Sequence, residues 1–134
     1  MLTTLHAAIR YFLLVFAAGF VFGTIRTLTT ADTPDARLMA VVVELPAILV
    51  VSWLACAHAT RRYAVPPTTV ERLAMGGLAF ALLMLAELLL DVVLAGKTAR
   101  EHFEAYAEAS HQLGLAGQAV FALIPLIQSK RHPS

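Results

Sequence analysis

The sequence predicts an all-α polytopic membrane protein, a four-helix bundle with a short interfacial helix between spans three and four. Three observations carry that expectation. Of 134 residues 59% are hydrophobic and 14% charged, with mean hydropathy +0.74, whereas a soluble domain is about half apolar and a quarter charged. The apolar residues fall into four blocks, near 11–28, 38–60, 70–95 and 111–128, each close to the roughly 20 helical residues that cross a hydrocarbon core. Strand-like alternation is missing, which argues against a barrel and leaves helices as the way to satisfy backbone groups in lipid. The short connections and single block pattern read as one domain, 1–134.

The first span is entered after Arg10. Ala17, Ala18 and Gly19 could be taken for a signal-peptide cleavage region, but the apolar run continues to Leu28, longer than a signal core, so it reads as an uncleaved span. The second opens at Thr33-Pro34-Asp35, a capping hydroxyl, a first-turn proline and an acid at the positive helix end. Val65-Pro66-Pro67 breaks the chain before the third, where Thr68 and Glu71 have capping-box spacing. Thr98 and Glu101 repeat that signature ahead of "AREHFEAYAEAS". Phe103 and Tyr106 give this short helix a shallow apolar edge suited to the membrane interface, beside Glu101, Glu104 and Glu108. The fourth span is the shortest and contains Gly114, Gly117 and Pro125.

Composition also narrows function. A net charge of +1 gives no bulk case for nucleic acid. Cys56 stands alone, so no intramolecular disulfide and no CxxC pair can form. The sequence has no HExxH, no phosphate-binding glycine loop and no evident nucleophile–base pair. The expectation is a non-enzymatic protein without cofactor or metal; His6 and His58 near helix ends read as interfacial side chains. Its expected partners are membrane lipids and a second copy or a larger membrane complex.

Loop cations set the orientation. Arg10, Arg61, Arg62, Arg72, Lys130 and Arg131 lie on one side; Arg37, Lys97 and Arg100, with Arg26 at the edge, lie on the other. Both termini are therefore expected in the cytoplasm of a bacterial inner-membrane protein. In that frame every span delivers a polar group to the outer half of the bilayer: Arg26, Glu44, Glu87 with Asp91, and Gln118 with His111. Glu87 and Asp91 are four apart and share a helix face; Glu44 and Ser52, and His111 and Gln118, share stripes. Gly19 and Gly23 form a small-residue seam for helix packing, and Arg26 lies on the same side. A charge at mid-span costs about 2.5–3.5 kcal/mol, so these groups are expected to turn inward and pair.

Three short runs, "GFVFGTIR" at 19–26, "ELP" at 44–46 and "AELLL" at 86–90, resemble uncharacterised small four-helix bacterial inner-membrane proteins. The resemblance implies architecture and location and supplies no activity. Small multidrug transporters have four helices at similar length but are built around a first-helix glutamate, where this chain has only Arg26. Two functions remain: an accessory or scaffold module with an outward Arg/Glu cluster, or a small proton- or ion-coupled transporter working as an oligomer through Glu44 and Glu87.

Overall fold

A computed structural model describes residues 2–131. Its elements are α1 (Leu2–Thr29), α2 (Pro34–Arg62), α3 (Thr69–Val93), α4 (Ala99–Glu104), a single 3₁₀ turn (Ala105–Ala107) and α5 (Ala109–Arg131). Four of these helices are long and apolar enough to cross a membrane, and the chain is an all-α, multi-pass membrane protein.

Caps set most boundaries. The Thr33 hydroxyl accepts from the Ala36 amide and Pro34 occupies the first turn, where its missing N–H is not needed. Thr68 caps α3 through the Glu71 amide. The reciprocal half of that expected capping box is replaced by a tertiary contact, because the Glu71 carboxylate takes the Thr4 hydroxyl of α1. Thr98 and Glu101 form the full box. α3 closes with Gly96 at φ +69° and the Lys97 amide on the Asp91 carbonyl, a left-handed cap that suits glycine.

Two boundaries differ most from the sequence expectation. α1 begins nine residues before the apolar block, because hydropathy marks membrane depth while the helix continues for as long as Thr4, Ala7 and Ala8 pack inside the bundle. The expected interfacial helix over 99–110 is only six residues long; it tightens into the 3₁₀ turn and stops at Glu108, which is extended at φ −83°, ψ 139°.

The long helices pack as a ring: α1 on α2, α2 on α5, α5 on α3, and α3 on α1. α1 and α5 therefore face one another across one diagonal, α2 and α3 across the other. The buried residues gather in the half of the bundle that holds the chain termini: Tyr11 and Val15 on α1, Ala55 and Cys56 on α2, Met75 and Ala79 on α3, Phe121 and Ile124 on α5. Leu13, Phe20, Val43, Leu54, Leu85 and Val93 are exposed, as expected for side chains bathed in lipid.

One turn of α5 ties this half together. Pro125 has no N–H, so the Phe121 carbonyl four residues earlier lacks its helical partner. The Tyr11 hydroxyl supplies one at 2.7 Å, reaching across the diagonal, and its ring stacks on Phe121 at 4.3 Å. Gly76 of α3 lies against the next carbonyl; a Cβ there would stand 1.8 Å from the Ala122 oxygen. The Pro125 carbonyl accepts from Arg72 of α3 at 3.0 Å, and Gln128 donates to the Trp53 carbonyl of α2 at 2.9 Å.

The close-approach glycines are thus Gly76, and Gly117 against Leu45 of α2, not the expected Gly19 and Gly23. Within the chain nothing lies within 4 Å of a Cβ at Gly19, and at Gly23 only the Arg26 guanidinium does, at 3.5 Å. Within the chain, Gly23 makes room for a side chain of its own helix.

Two outcomes follow. Gly76→Ala should lower thermal stability in detergent by about 1–3 kcal/mol through overpacking, while Gly77→Ala, with nothing within 4 Å, should be neutral or better. Tyr11→Phe should cost about 1–3 kcal/mol by orphaning the Phe121 carbonyl. Most of that cost should vanish in a Pro125→Ala background, where the carbonyl regains a backbone donor; additivity in the double-mutant cycle would refute the pairing.

Candidate functional site

The half of the bundle away from the termini does not close. A cleft of about 890 Å³ opens there between all four long helices, bounded below by Val15, Ser52, Leu83 and Phe121 and above by the segment after α3. Arg26, Glu44, Glu87, Asp91, His111 and Gln118, predicted as a polar cluster, all line it, as do Gly19 and Gly23.

The cluster is not one network. It divides into side-chain pairs that join different elements. Arg26, in the last turn of α1, presents one guanidinium nitrogen to both Glu44 oxygens of α2, at 3.0 and 3.1 Å. Glu87 of α3 makes no direct ion pair with Arg26, although it lies within reach of its charge. It accepts from the Gln118 amide of α5, a neutral donor on the helix packed beside it. Asp91, one turn beyond Glu87, meets the His102 Nδ1 at 2.5 Å. The expected inward pairing takes the form of separate partners, because each acid sits opposite a different helix.

His102 and Tyr106 were missed as site residues. In "AREHFEAYAEAS" the apolar edge suggested Phe103 and Tyr106 as membrane contacts. The structure turns Phe103 outward, 60% exposed, and buries His102 toward Asp91. The signal available was local: Gly96 permits a tight reversal after α3, and the Thr98–Glu101 box fixes where α4 starts. Tyr106 lines the cleft and stacks edge-on against both His102 and His111. Burial first, and then the charges of Glu87 and Asp91, push its phenol above the usual tyrosine range, so it remains a neutral hydroxyl at physiological pH.

A further tie closes the rim. Glu108, between the 3₁₀ turn and α5, accepts from Arg37 of α2 at 2.8 Å. Arg37 also pairs with Asp32 in the α1–α2 connection, and His111 approaches the second Glu108 oxygen at 3.4 Å. The hydrogen bond from Arg37 holds the Glu108 carboxyl below its ordinary range.

Chemically, the cleft presents acids, guanidinium groups, imidazoles and a phenol, and most of these groups are already engaged with one another. Such a surface can bind and orient a polar group. Among the described residues, no three His, Cys, Asp or Glu side chains come together as a metal set.

The sign of the Glu108 effect is fixed by its depressed pKa. Its link to Arg37 is fully present above the ordinary glutamate value of about 4.3 and is lost only as pH falls through the lower folded value. A carbon-detected titration of the Glu108 carboxyl should therefore give a midpoint below about 4.3, and Arg37→Gln should raise it; a midpoint unmoved by that substitution would contradict the assignment. No family model matches this chain, and neither a curated protein nor a solved structure matches it.

Proposed function

We propose that this chain is a non-enzymatic module of the bacterial inner membrane, with both termini in the cytoplasm and a polar cleft open to the outer side. On this reading it belongs with the small four-helix inner-membrane proteins that its three short runs resemble. It acts by receiving a polar group, from an amphiphile or from a partner's membrane segment, within the outer half of the bilayer. Its partners are lipids and a second copy or a larger membrane complex.

One observation carries the reading: the cleft has a packed floor. Below Phe121 the bundle is filled by Tyr11, Cys56, Met75 and Ala79, each 0% exposed. The polar groups above that floor are joined across helices by Arg26–Glu44, Glu87–Gln118 and Asp91–His102. A charge within a span is costly unless paired or hydrated, so these links let the upper half stay open and polar while holding the four helices in place. Asymmetry in Lys and Arg between the two ends supports the orientation.

A second reading, proton-coupled transport by an oligomer, draws on Glu87. It faces the cleft with a neutral amide partner, and intramembrane acids often serve as relays.

Cysteine accessibility tests the first reading. In a Cys56→Ala background, Gly19→Cys in intact cells should react with a membrane-impermeant thiol reagent applied from outside. Ala55→Cys, in the packed half, should not. Reaction of Gly19→Cys only from the cytoplasmic face would reverse the proposed orientation. Proton flux into liposomes that is abolished by Glu44→Gln with Glu87→Gln would replace the module with the transporter.

A further inference from the structure

A second, smaller cleft of about 350 Å³ lies at the opposite end of the bundle, where α2, α3 and α5 converge. Its polar residues are Thr60 and Arg61 on α2, Arg72 on α3 and Gln128 on α5; Trp53 and Ala57 form its apolar side. Trp53 precedes Arg61 by eight residues, which at about 1.5 Å per residue places it roughly 12 Å deeper along the helix. The cleft thus joins a basic mouth at the helix ends to an apolar wall that descends into the membrane. Val50 and Leu54, on the same stretch of α2, are exposed, so the surrounding surface faces acyl chains.

Arg72 is the unusual member. It is only 8% exposed, yet its hydrogen-bond acceptors are neutral backbone carbonyls: Pro66 at 3.2 Å, Pro125 at 3.0 Å and Val65 at 3.4 Å. Among the described residues no carboxylate lies within 4.0 Å of it. Glu71, its neighbour in sequence, is turned toward Thr4. A guanidinium carries five N–H donors, and these three contacts leave two for another acceptor. The carbonyls orient the group without neutralising it, and Arg61 adds a second positive charge at the same mouth. Buried cations are ordinarily paired, so an arginine held only by carbonyls favours an anionic ligand.

We propose that this cleft binds the phosphate of an anionic phospholipid from the leaflet at the termini end. The phosphate sits between Arg61 and Arg72, and an acyl chain runs along Ala57 and Trp53. The charge selects phosphate chemistry, and the apolar depth beneath it selects a lipid over a free ion. The Val65 and Pro66 carbonyls tie the α2–α3 connection to Arg72, so this loop helps to fix the site.

Trp53 is the only tryptophan, so its emission reports on the cleft directly. The full-length chain in neutral-detergent micelles would be titrated with phosphatidylglycerol or phosphatidylcholine carrying the same brominated, quenching acyl chains. Phosphatidylglycerol should reach half-quenching at a mole fraction about fivefold lower, the scale of one basic contact at a membrane surface. Arg61→Gln, at an exposed position, should remove most of that preference. Arg62→Gln, next in sequence but directed to the Tyr63 ring, should retain it. Equal quenching by the two lipids, or equal losses in the two variants, would overturn the site in favour of none or of bulk electrostatics. An emission change with inorganic phosphate alone, without headgroup preference, would assign a free anion and overturn the lipid.

Discussion

The hydrogen bond from Tyr11 to the Phe121 carbonyl is the contact around which the bundle is organised. Pro125 withdraws one helical donor from α5, and in a lipid-bathed bundle that carbonyl has no water to turn to. The Tyr11 hydroxyl meets it from the opposite corner of the helix ring. Because α1 and α5 are diagonal, the side chain that spans the gap also fills the centre. Around the same turn, Gly76 lets α3 approach the Ala122 carbonyl and Arg72 takes the Pro125 carbonyl. A defect in one helix has become the junction at which its neighbours meet.

That junction makes the two halves of the molecule unlike. On the termini side, alanines, a cysteine and a glycine allow backbones to approach, which is the packing that suits membrane helices where hydrophobic association offers little. On the other side longer polar side chains occupy the space between helices and hold them apart. The links from Arg26 to Glu44 and from Glu87 to Gln118 each bridge two helices, and they stand on the floor formed by Phe121, Leu83 and Val15. The open cleft and the closed core are therefore one construction, and the segment carrying His102 and Tyr106 folds over its rim because Asp91 and Arg37 engage it from α3 and α2.

The two clefts treat charge in opposite ways. Around the larger one, acids and bases are present together and largely satisfy each other. In the smaller one, Arg72 donates to three carbonyl oxygens and Arg61 lines the same cleft, so among the described residues the positive charge is oriented but not balanced by a carboxylate. This contrast is why the ligand proposed for the larger cleft is a polar group in general, whereas the one proposed for the smaller is specifically anionic.

The helices, their span lengths and the polar character of one end were legible in the linear chain, because hydropathy and capping residues act over a few neighbouring positions. Thr33-Pro34, Thr68 and Thr98 announce helix starts with chemistry confined to a single turn. The i, i+4 spacing of Glu87 and Asp91 likewise puts both on one face without reference to any other helix. Which partner each acid meets was not legible. That choice depends on the ring order of the helices and on their rotation, and nothing local to Glu87 distinguishes Arg26 from Gln118. The glycines show the same division. Gly19 and Gly23 have the familiar four-residue spacing, yet the close approaches fall at Gly76 and Gly117, since proximity is set by what faces a residue across a gap and not by its own sequence. His102 became part of the site only when the chain reversed after Gly96. Local chemistry determined the elements; the tertiary structure alone decided the pairings, because a contact between helices requires two surfaces and a linear motif describes only one.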